Sequence, residues 1–419
     1  MPSSTSLLET HPPTTPAAPD AATPDSVTSV EKVPANRATA RAAVDLPPKP
    51  ANTRYQSLDF WRGAACLMLF GFHTSFYADR TFVTHDMGTW SPGSVGVKAI
   101  RLLWIGVPIF FVISGYCIAA SIDSLRRRPH SLGDYFVRRF RRIYPPLWIA
   151  SSLTVVFLLC LLLQPDLLAA CEQLTSLFQV PFSAWVGNFT ATETWLPRVT
   201  GRTEPTFLMN NTWTLCYEEQ FYVVTGVLLA FSARRFFAGC AVVTLLTLAA
   251  RHLGRLGDFS WQGVFLDGHW LPFAVGILVY YGLHYASPRG RIATALTLVA
   301  GMLYAVLDRR TQSARFETHL DDYILVACAF GLALLLARPW DAWFASWRIL
   351  RPVTWCGRMS YSIYLLHFPL VVALSCWLSR HGFHDDHSVA FYVLPAALAV
   401  SLPLSWLFHV AVERRFMNA

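Results

Sequence analysis

The chain has 419 residues, of which 54% are hydrophobic and only 14% charged, whereas soluble globular proteins average roughly 25% charged residues. This composition excludes an ordinary soluble protein and makes lipid the main solvent of the chain. The net charge of +8 does not indicate a nucleic-acid partner, because Lys and Arg occur in short clusters between apolar segments. No Cys or His spacing typical of a metal site occurs, so no metal cofactor is predicted.

The first segment, residues 1–54, is rich in Pro, Ala, Thr and Ser, and ten of the first fifty residues are prolines. Such a composition cannot bury enough apolar surface to fold. We therefore predict a disordered tail.

Long apolar runs after the tail predict one all-α integral membrane domain, residues 55–416. Each run is long enough for a helix to cross the hydrocarbon core, which takes about 20 residues. The alternating segments of a membrane β-barrel do not occur. About ten transmembrane helices are predicted, near residues 57–79, 99–122, 143–164, 212–232, 235–250, 268–286, 292–307, 322–337, 360–378 and 389–412.

The distribution of Lys and Arg predicts the orientation of this bundle. The tail, the second connection (residues 123–142) and the C-terminus are rich in basic residues, so the positive-inside rule places them in the cytoplasm. We predict a multi-pass protein of the plasma (inner) membrane. The longest outer loop, about residues 165–211, fits either a lid or acceptor platform over the bundle or a plain connector.

The first predicted helix contains two ionisable residues, Arg62 and His73. A charge near the centre of a membrane helix costs at least ~2.5–3.5 kcal/mol, so each residue suggests a partner or a function. Their spacing returns to within about 20° of the same helix face and separates them by about 16 Å along the axis. We predict that both line one shaft through the bundle. Snorkelling to the interface or a hydrogen bond to a carbonyl is the structural alternative.

The fourth predicted helix begins NNTWTLCYEEQFY and carries Glu218 at a depth similar to that of His73. A carboxylate beside a buried imidazole holds its tautomer, so we predict that Glu218 orients His73 as a base. Glu219 points about 100° away, either as a helix cap or toward the outer cavity. His367, in MSYSIYLLHFPLV, is a lower-ranked candidate, because packing or a supporting role explains it equally well.

The second connection, RRRPHSLGDYFVRRFRRIYPPLW, is dense in arginine. Arg139 and Arg142 lie three residues apart on one helical face, where their guanidinium forks could hold the phosphates of a cofactor. Anionic lipid headgroups are the alternative partner. Part of the cluster is topogenic under either interpretation.

Five motifs occur in order along the chain: LDFWRG followed by His73, then FFVISGY, RRFRRIYPPLW, WTLCYEEQFY and SYSIYLLHFPL. In this order they resemble the acyltransferase-3 family of membrane O-acyltransferases over about residues 55–416. The C-terminal VERRF resembles the family's terminal Glu-Arg-Pro-Phe, with Arg415 in place of proline. Each motif alone is weak, and the ordered set is specific.

The resemblance implies transfer of an acyl group, commonly acetyl, from cytoplasmic acyl-CoA to a hydroxyl of a glycan or another acceptor beyond the membrane. His73 would be the base for that hydroxyl or would carry the acyl group covalently. Arg62 would stabilise the thioester oxygen or hold the pantetheine arm, and a small-residue step would let that arm pass. The matching positions are Arg62, His73, Ser114, Gly115, Arg139, Arg142 and Glu218.

Two other functions fit part of the pattern. A secondary transporter also uses ionisable residues inside the membrane, but no internal repeat of the His73 or Glu218 segment is present. A polymer-export partner without chemistry explains the basic connection but not the spacing of Arg62 and His73. The sequence favours the acyltransferase and does not identify its acyl group or its acceptor.

Overall fold

A computed structural model describes residues 55–82, 91–127, 132–161, 163, 180–256, 261–311 and 319–417. Within these ranges the chain is helical and contains no strand, which confirms the predicted all-α class. The predicted disordered tail, residues 1–54, lies outside the described residues.

The first eleven helices are α1 (Leu58–Phe82), α2 (Pro92–Arg101), α3 (Gly106–Leu125), α4 (Leu132–Leu161), α5 (Phe182–Thr190), α6 (Leu196–Thr200), α7 (Trp213–Phe231), α8 (Phe236–Leu256), α9 (Trp270–His284), α10 (Pro288–Thr311) and α11 (His319–Ala337). They are followed by α12 (Asp341–Ser346), α13 (Arg351–Arg358), α14 (Ser360–Arg380) and α15 (Leu394–Phe408). Two π-helical segments flank α15, Val389–Val393 and His409–Glu413.

Every predicted transmembrane segment coincides with a helix, but not every helix has the composition of a membrane span. Seven stretches of the described chain are long and apolar enough to cross a membrane: Pro92–Leu125, Leu132–Leu161, Phe236–Gly254, Pro288–Arg309, Leu320–Ser346, Ser360–Arg380 and Asp386–Met417.

The remaining three predicted spans are α1, α7 and α9. Helix α9 has only 15 residues, and α1 and α7 carry charged residues such as Arg62 and Glu218. Helices α1 and α7 are polar because the candidate site residues that they carry face the interior of the bundle. The structure supports a multi-pass membrane protein, and the count of about ten spans stays a prediction.

Helices α1 and α3, which carry four of the predicted site residues, are fixed by close backbone contacts. Helix α1 packs against α3, α13 and α14, and α3 packs along α9. A Cβ atom on Gly63 in α1 would lie 1.9 Å from the carbonyl oxygen of Val353 in α13. A Cβ atom on Gly276 in α9 would lie 2.0 Å from the carbonyl oxygen of Val112 in α3. Glycine permits these approaches because it has no side chain to separate the helices.

The N-terminal end of α1 is held by a carboxylate from a distant part of the chain. Asp341, at the start of α12, accepts hydrogen bonds from the backbone N–H groups of Gln56 (2.7 Å) and Ser57 (2.9 Å). Arg338 also donates to this buried carboxylate, at 2.7 Å. An acidic group satisfies the unpaired N–H groups that precede a helix and interacts favourably with the helix dipole.

The described part of the predicted outer loop packs against α4. Trp148 and Tyr144 of α4 donate hydrogen bonds to the carbonyl oxygens of Phe189 (2.8 Å) and Thr190 (3.1 Å) at the end of α5. Further along, buried Glu193 forms an ion pair with Arg202 at 2.6 Å. Residues 180–212 are therefore an ordered structure over α4, and residues 164–179 lie outside the described residues.

Candidate active site

A cavity enclosed mainly by α1, α3, α4, α7 and α14 brings together five of the predicted site residues. We call it the arginine cavity. Its volume is about 120 Å³. The predicted residues in its wall are Arg62, Ser114, Arg139, Arg142 and Glu218.

The arginine cavity carries more positive than negative charge. Arg62 lies 3.2 Å from the carboxylate of Asp59, whereas neither Arg139 nor Arg142 forms an ion pair with any described residue. The guanidinium carbon of Arg139 lies 4.9 Å from the centre of the Tyr222 ring. Unpaired guanidinium groups in an interior cavity fit a polyanionic ligand, because arginine binds phosphate oxygens in a bidentate manner.

Glu218 is the acidic member of the cavity wall and belongs to a polar network. Its Oε1 accepts a hydrogen bond from Ser114 Oγ at 2.6 Å and another from the Tyr222 hydroxyl. Tyr222 lies one turn after Glu218 in α7, so both side chains share one helix face. The network joins α3 to α7 and holds the Tyr222 ring beside Arg139.

A second, smaller chamber adjoins the arginine cavity and contains His73 and His367. We call it the histidine chamber. Its volume is about 20 Å³, which is room for about one water molecule. The two spaces share a thin partition formed by Leu69, Val107, Phe110, Thr214 and Tyr364.

The two histidines form a hydrogen-bonded pair. His73 Nδ1 lies 2.7 Å from His367 Nε2. His367 Nδ1 lies 2.9 Å and 2.8 Å from the carbonyl oxygens of Ile363 and Tyr364. Because a carbonyl oxygen only accepts, we assign the His367 proton to Nδ1, and its Nε2 then accepts from His73 Nδ1–H. A neutral His73 in this tautomer keeps its basic lone pair on Nε2.

The turn that precedes α9 forms hydrogen bonds with the beginning of α7, close to the histidine chamber. Asp267 accepts hydrogen bonds from His269 Nδ1 at 2.7 Å and from the Tyr217 hydroxyl. Although burial opposes ionisation, the His269 imidazole and these hydrogen bonds hold the pKa of Asp267 below its ordinary value. Gln220 donates to and accepts from the backbone of the same turn. The position of Trp213, which lines the histidine chamber, is thereby fixed.

Residues 55–410 match the sequence model of the acyltransferase-3 family, described as an acyltransferase domain. The chain belongs to the acyltransferase-3 family. This assignment confirms the resemblance seen in the ordered motifs, and all residues of the two cavities lie inside the matched range. No solved structure matches the chain significantly.

Three curated relatives are similar to this acyltransferase-3 chain. It is 27% identical to the putative peptidoglycan O-acetyltransferase YrhL of Bacillus subtilis, over 77% of this chain and 50% of YrhL. It is 26% identical to the putative membrane-bound transacylase BcsY of Komagataeibacter xylinus, over 74% of this chain and 75% of BcsY. It is 24% identical to the O-acetyltransferase OatA of Staphylococcus aureus, over 65% of this chain and 47% of OatA. The chain thus spans about half the length of YrhL and OatA.

Within this acyltransferase-3 domain, the structure changes the expected partner of His73. The described hydrogen bonds of Glu218 go to Ser114 and Tyr222, while His367 contacts Nδ1 of His73. The geometry gives His367 the orienting position that the sequence predicted for Glu218.

Two other predicted residues lie outside the walls of both cavities. Glu219 is the seventh residue of α7, beyond the first turn, so it does not cap the helix. Its Oε1 is buried without a hydrogen-bond partner among the described residues. Gly115 faces α9, where a Cβ atom would lie 1.9 Å from the carbonyl oxygen of Phe273. The missing side chain therefore permits the close contact between α3 and α9.

Among the polar residues of the cavity walls that sequence reasoning missed are Tyr222, Tyr364 and Asn211. Tyr222 and Tyr364 lie one helical turn from Glu218 and His367, and this spacing was the signal that could have found them. Asn211 precedes α7 and had no comparable signal. The described residues contain no group of three His, Cys, Asp or Glu side chains that could hold a metal ion.

Proposed function

We propose that this protein transfers an acyl group, most simply acetyl, from cytoplasmic acyl-CoA to a hydroxyl of a glycan or similar acceptor beyond the membrane. The observation that carries the proposal is the adjacency of the arginine cavity and the histidine chamber across one thin partition. The first suits a polyphosphorylated donor, and the second offers a base to an acceptor hydroxyl.

The donor site rests on the contrast between two pairs of arginines in α4. Arg139 and Arg142 line the arginine cavity, whereas Arg138 and Arg141 are absent from its wall. The second pair satisfies the topogenic role and can contact lipid headgroups. The first pair faces a space that a ligand can enter, which favours the phosphates of CoA over lipid as its partner.

The distance between Arg62 and His73 along α1 indicates that the two residues have different roles. The two residues are about 16 Å apart along the helix axis, so Arg62 cannot contact a carbonyl group that lies against His73. Of the two roles expected for Arg62, holding the donor arm fits this distance and stabilising the thioester oxygen does not. An extended pantetheine arm would run along α1 from the arginine cavity to the partition.

The histidine pair can supply the base for the transfer. As the acceptor oxygen attacks the thioester carbon, its proton moves to His73 Nε2 and a C–O bond forms. The C–S bond then breaks, and the CoA thiolate takes the proton from the imidazolium, which restores neutral His73. His367 holds the ring so that Nε2 carries the lone pair. A two-step route through an acyl group on His73 uses the same nitrogen.

The acceptor class rests on the relatives, since the names of YrhL and OatA describe O-acetyltransferases and that of YrhL specifies peptidoglycan. We infer a glycan hydroxyl as acceptor and the plasma membrane as location, with both termini in the cytoplasm. Membership of an acyltransferase family argues against the transporter and export-partner alternatives.

The proposal is tested by mass spectrometry of surface glycans and secreted products from cells with the gene, without it, and with the His73→Ala variant. Only the wild-type gene is expected to add the mass of one acyl group to a product. In parallel, purified protein in nanodiscs is titrated with acetyl-CoA. Identical product masses in all three strains, together with no binding of acetyl-CoA, would refute the proposal.

A further inference from the structure

Asn211 is a buried polar residue of the histidine chamber for which the proposed chemistry has no use. Its relative exposure is 3%, and it lies in the short 3-10 turn Asn210–Thr212 that leads into α7. It lines the chamber together with His73 and His367 but is absent from the wall of the arginine cavity.

The orientation of the Asn211 side chain is fixed by Tyr364. Asn211 Nδ2 donates to the carbonyl oxygen of Tyr364 at 2.5 Å, and the Tyr364 hydroxyl donates to the carbonyl oxygen of Asn211 at 2.7 Å. Because the Tyr364 carbonyl can only accept, the side-chain amide cannot be turned around. Asn211 Oδ1 is then a buried acceptor without a hydrogen-bond partner among the described residues.

We expect an unpaired acceptor in this position to receive a hydrogen bond from a substrate. Buried polar atoms without partners are costly and rare in folded proteins, and a role in a site is one reason to keep one. The reacting hydroxyl cannot be this donor, because its only proton goes to His73. The donor must be a second O–H or N–H group close to the reacting oxygen.

The location of Asn211 indicates which substrate carries that second group. The acyl-CoA donor would enter from the arginine cavity, whose wall Asn211 does not reach. Asn211 lies beyond the partition, beside Trp213, which also lines only the histidine chamber. This is the side from which the acceptor would meet His73.

We propose that Asn211 is a specificity residue that accepts a hydrogen bond from a hydroxyl or amide N–H group adjacent to the reacting hydroxyl of the acceptor. The inference rests on the proposed function and adds a substrate class to it. The preferred acceptors carry a neighbouring donor group, as vicinal diols and N-acylated amino sugars do, whereas isolated alcohols are poor acceptors.

The test uses purified full-length protein in nanodiscs, acetyl-CoA labelled in its acetyl group, and three small acceptors. These are trans-1,2-cyclohexanediol, trans-2-methoxycyclohexanol and cyclohexanol, which share a ring and a reacting hydroxyl. Only the diol has a neighbouring donor, and the methoxy compound keeps the bulk of the substituent. The kcat/KM for the diol is expected to exceed those for the other two by about 10- to 100-fold, since only the diol pairs Asn211 Oδ1.

Two variants assign this preference to Asn211. Asn211→Ala is expected to lower kcat/KM for the diol to the level of the other two acceptors, with a smaller effect on those. The matched control is Asn210→Ala, at the neighbouring exposed asparagine, which should keep the full preference. If Asn211→Ala fails to fold, the comparison of acceptors with wild-type protein still decides the proposal.

The outcomes separate this inference from the proposed function. Equal kcat/KM values of the wild type for all three acceptors would overturn the role of Asn211 and leave acyl transfer intact. An equal loss for all three in Asn211→Ala, with a raised KM for acetyl-CoA, would assign the hydrogen bond to the donor and also overturn it. No transfer to any acceptor by wild-type protein would count against both proposals.

Discussion

His367 offers a sharp test of the histidine pair, because its contribution can be removed while the ring is kept. In His367→Phe, His73 Nδ1–H loses the acceptor that lies 2.7 Å away. The proton then stays on Nδ1 without that partner, or moves to Nε2 and occupies the lone pair that should receive the substrate proton. A buried donor left unpaired costs about 1–3 kcal/mol, which corresponds to about a 5- to 150-fold change in rate.

We therefore expect kcat/KM of His367→Phe to fall about 10- to 100-fold. His367→Gln, whose amide oxygen can accept from His73 Nδ1–H, should recover activity to within about tenfold of wild type. Affinity for CoA should not change in either variant, because His367 is absent from the wall of the arginine cavity. The double variant His73→Ala with His367→Phe should be no slower than His73→Ala alone, since both changes disable one unit.

The assay is transfer of labelled acetyl from acetyl-CoA to trans-1,2-cyclohexanediol, with CoA affinity measured separately by calorimetry on the same preparations. Equal activity of His367→Phe and His367→Gln would show that the ring contributes packing instead of an acceptor. Multiplication of the His367→Phe and His73→Ala losses in the double variant would likewise refute the pair as a catalytic unit.

Three further predictions follow from the structure. Replacing Arg139 and Arg142 together by lysine keeps the topogenic charge but loses bidentate phosphate binding. In competition binding, affinity for CoA should therefore fall, while affinity for dephospho-CoA should change less. Unchanged affinities would leave these residues only a topogenic role. Gly115→Ala should lower thermal stability without weakening CoA binding by the folded fraction, because the new Cβ would lie 1.9 Å from a backbone carbonyl of α9. In a variant without the nine native cysteines, Ser287→Cys should resist an impermeant thiol reagent in intact cells and Thr203→Cys should react. The reverse pattern would overturn the orientation.

The helices could be predicted from sequence because apolar runs of sufficient length have few alternatives in lipid. The number of spans was harder to predict, because the charged residues of α1 and α7 face the interior of the bundle. These helices therefore lack the composition of a lipid-facing helix. Their charges nevertheless indicated the site. The cost of Arg62, His73 and Glu218 inside a membrane singled out these residues before any partner was known.

The partners themselves could not be read from local patterns. His73 and His367 are 294 positions apart, and their contact depends on how α1 packs against α14. The cap of α1 similarly comes from Asp341, far along the chain. Gly115 illustrates the same limit, because from sequence alone a small residue next to Ser114 fits a ligand passage and a helix contact equally well, and its close contact with α9 depends on how the helices pack.

The partition between the two cavities bears on how a transferase avoids becoming a hydrolase. Its members Leu69 and Val107 are both buried, and the chamber behind them has room for about one water molecule. In the proposed mechanism, this partition separates a thioester held on the arginine side from the proposed base, His73 Nε2, until the acyl group meets the acceptor. Attack by water would require the thioester and a water to reach that base together, in a space that an acceptor hydroxyl would fill. In the proposed mechanism, the narrow chamber that excludes water also makes the polar groups beside the reacting hydroxyl determine which hydroxyl of the acceptor is acylated.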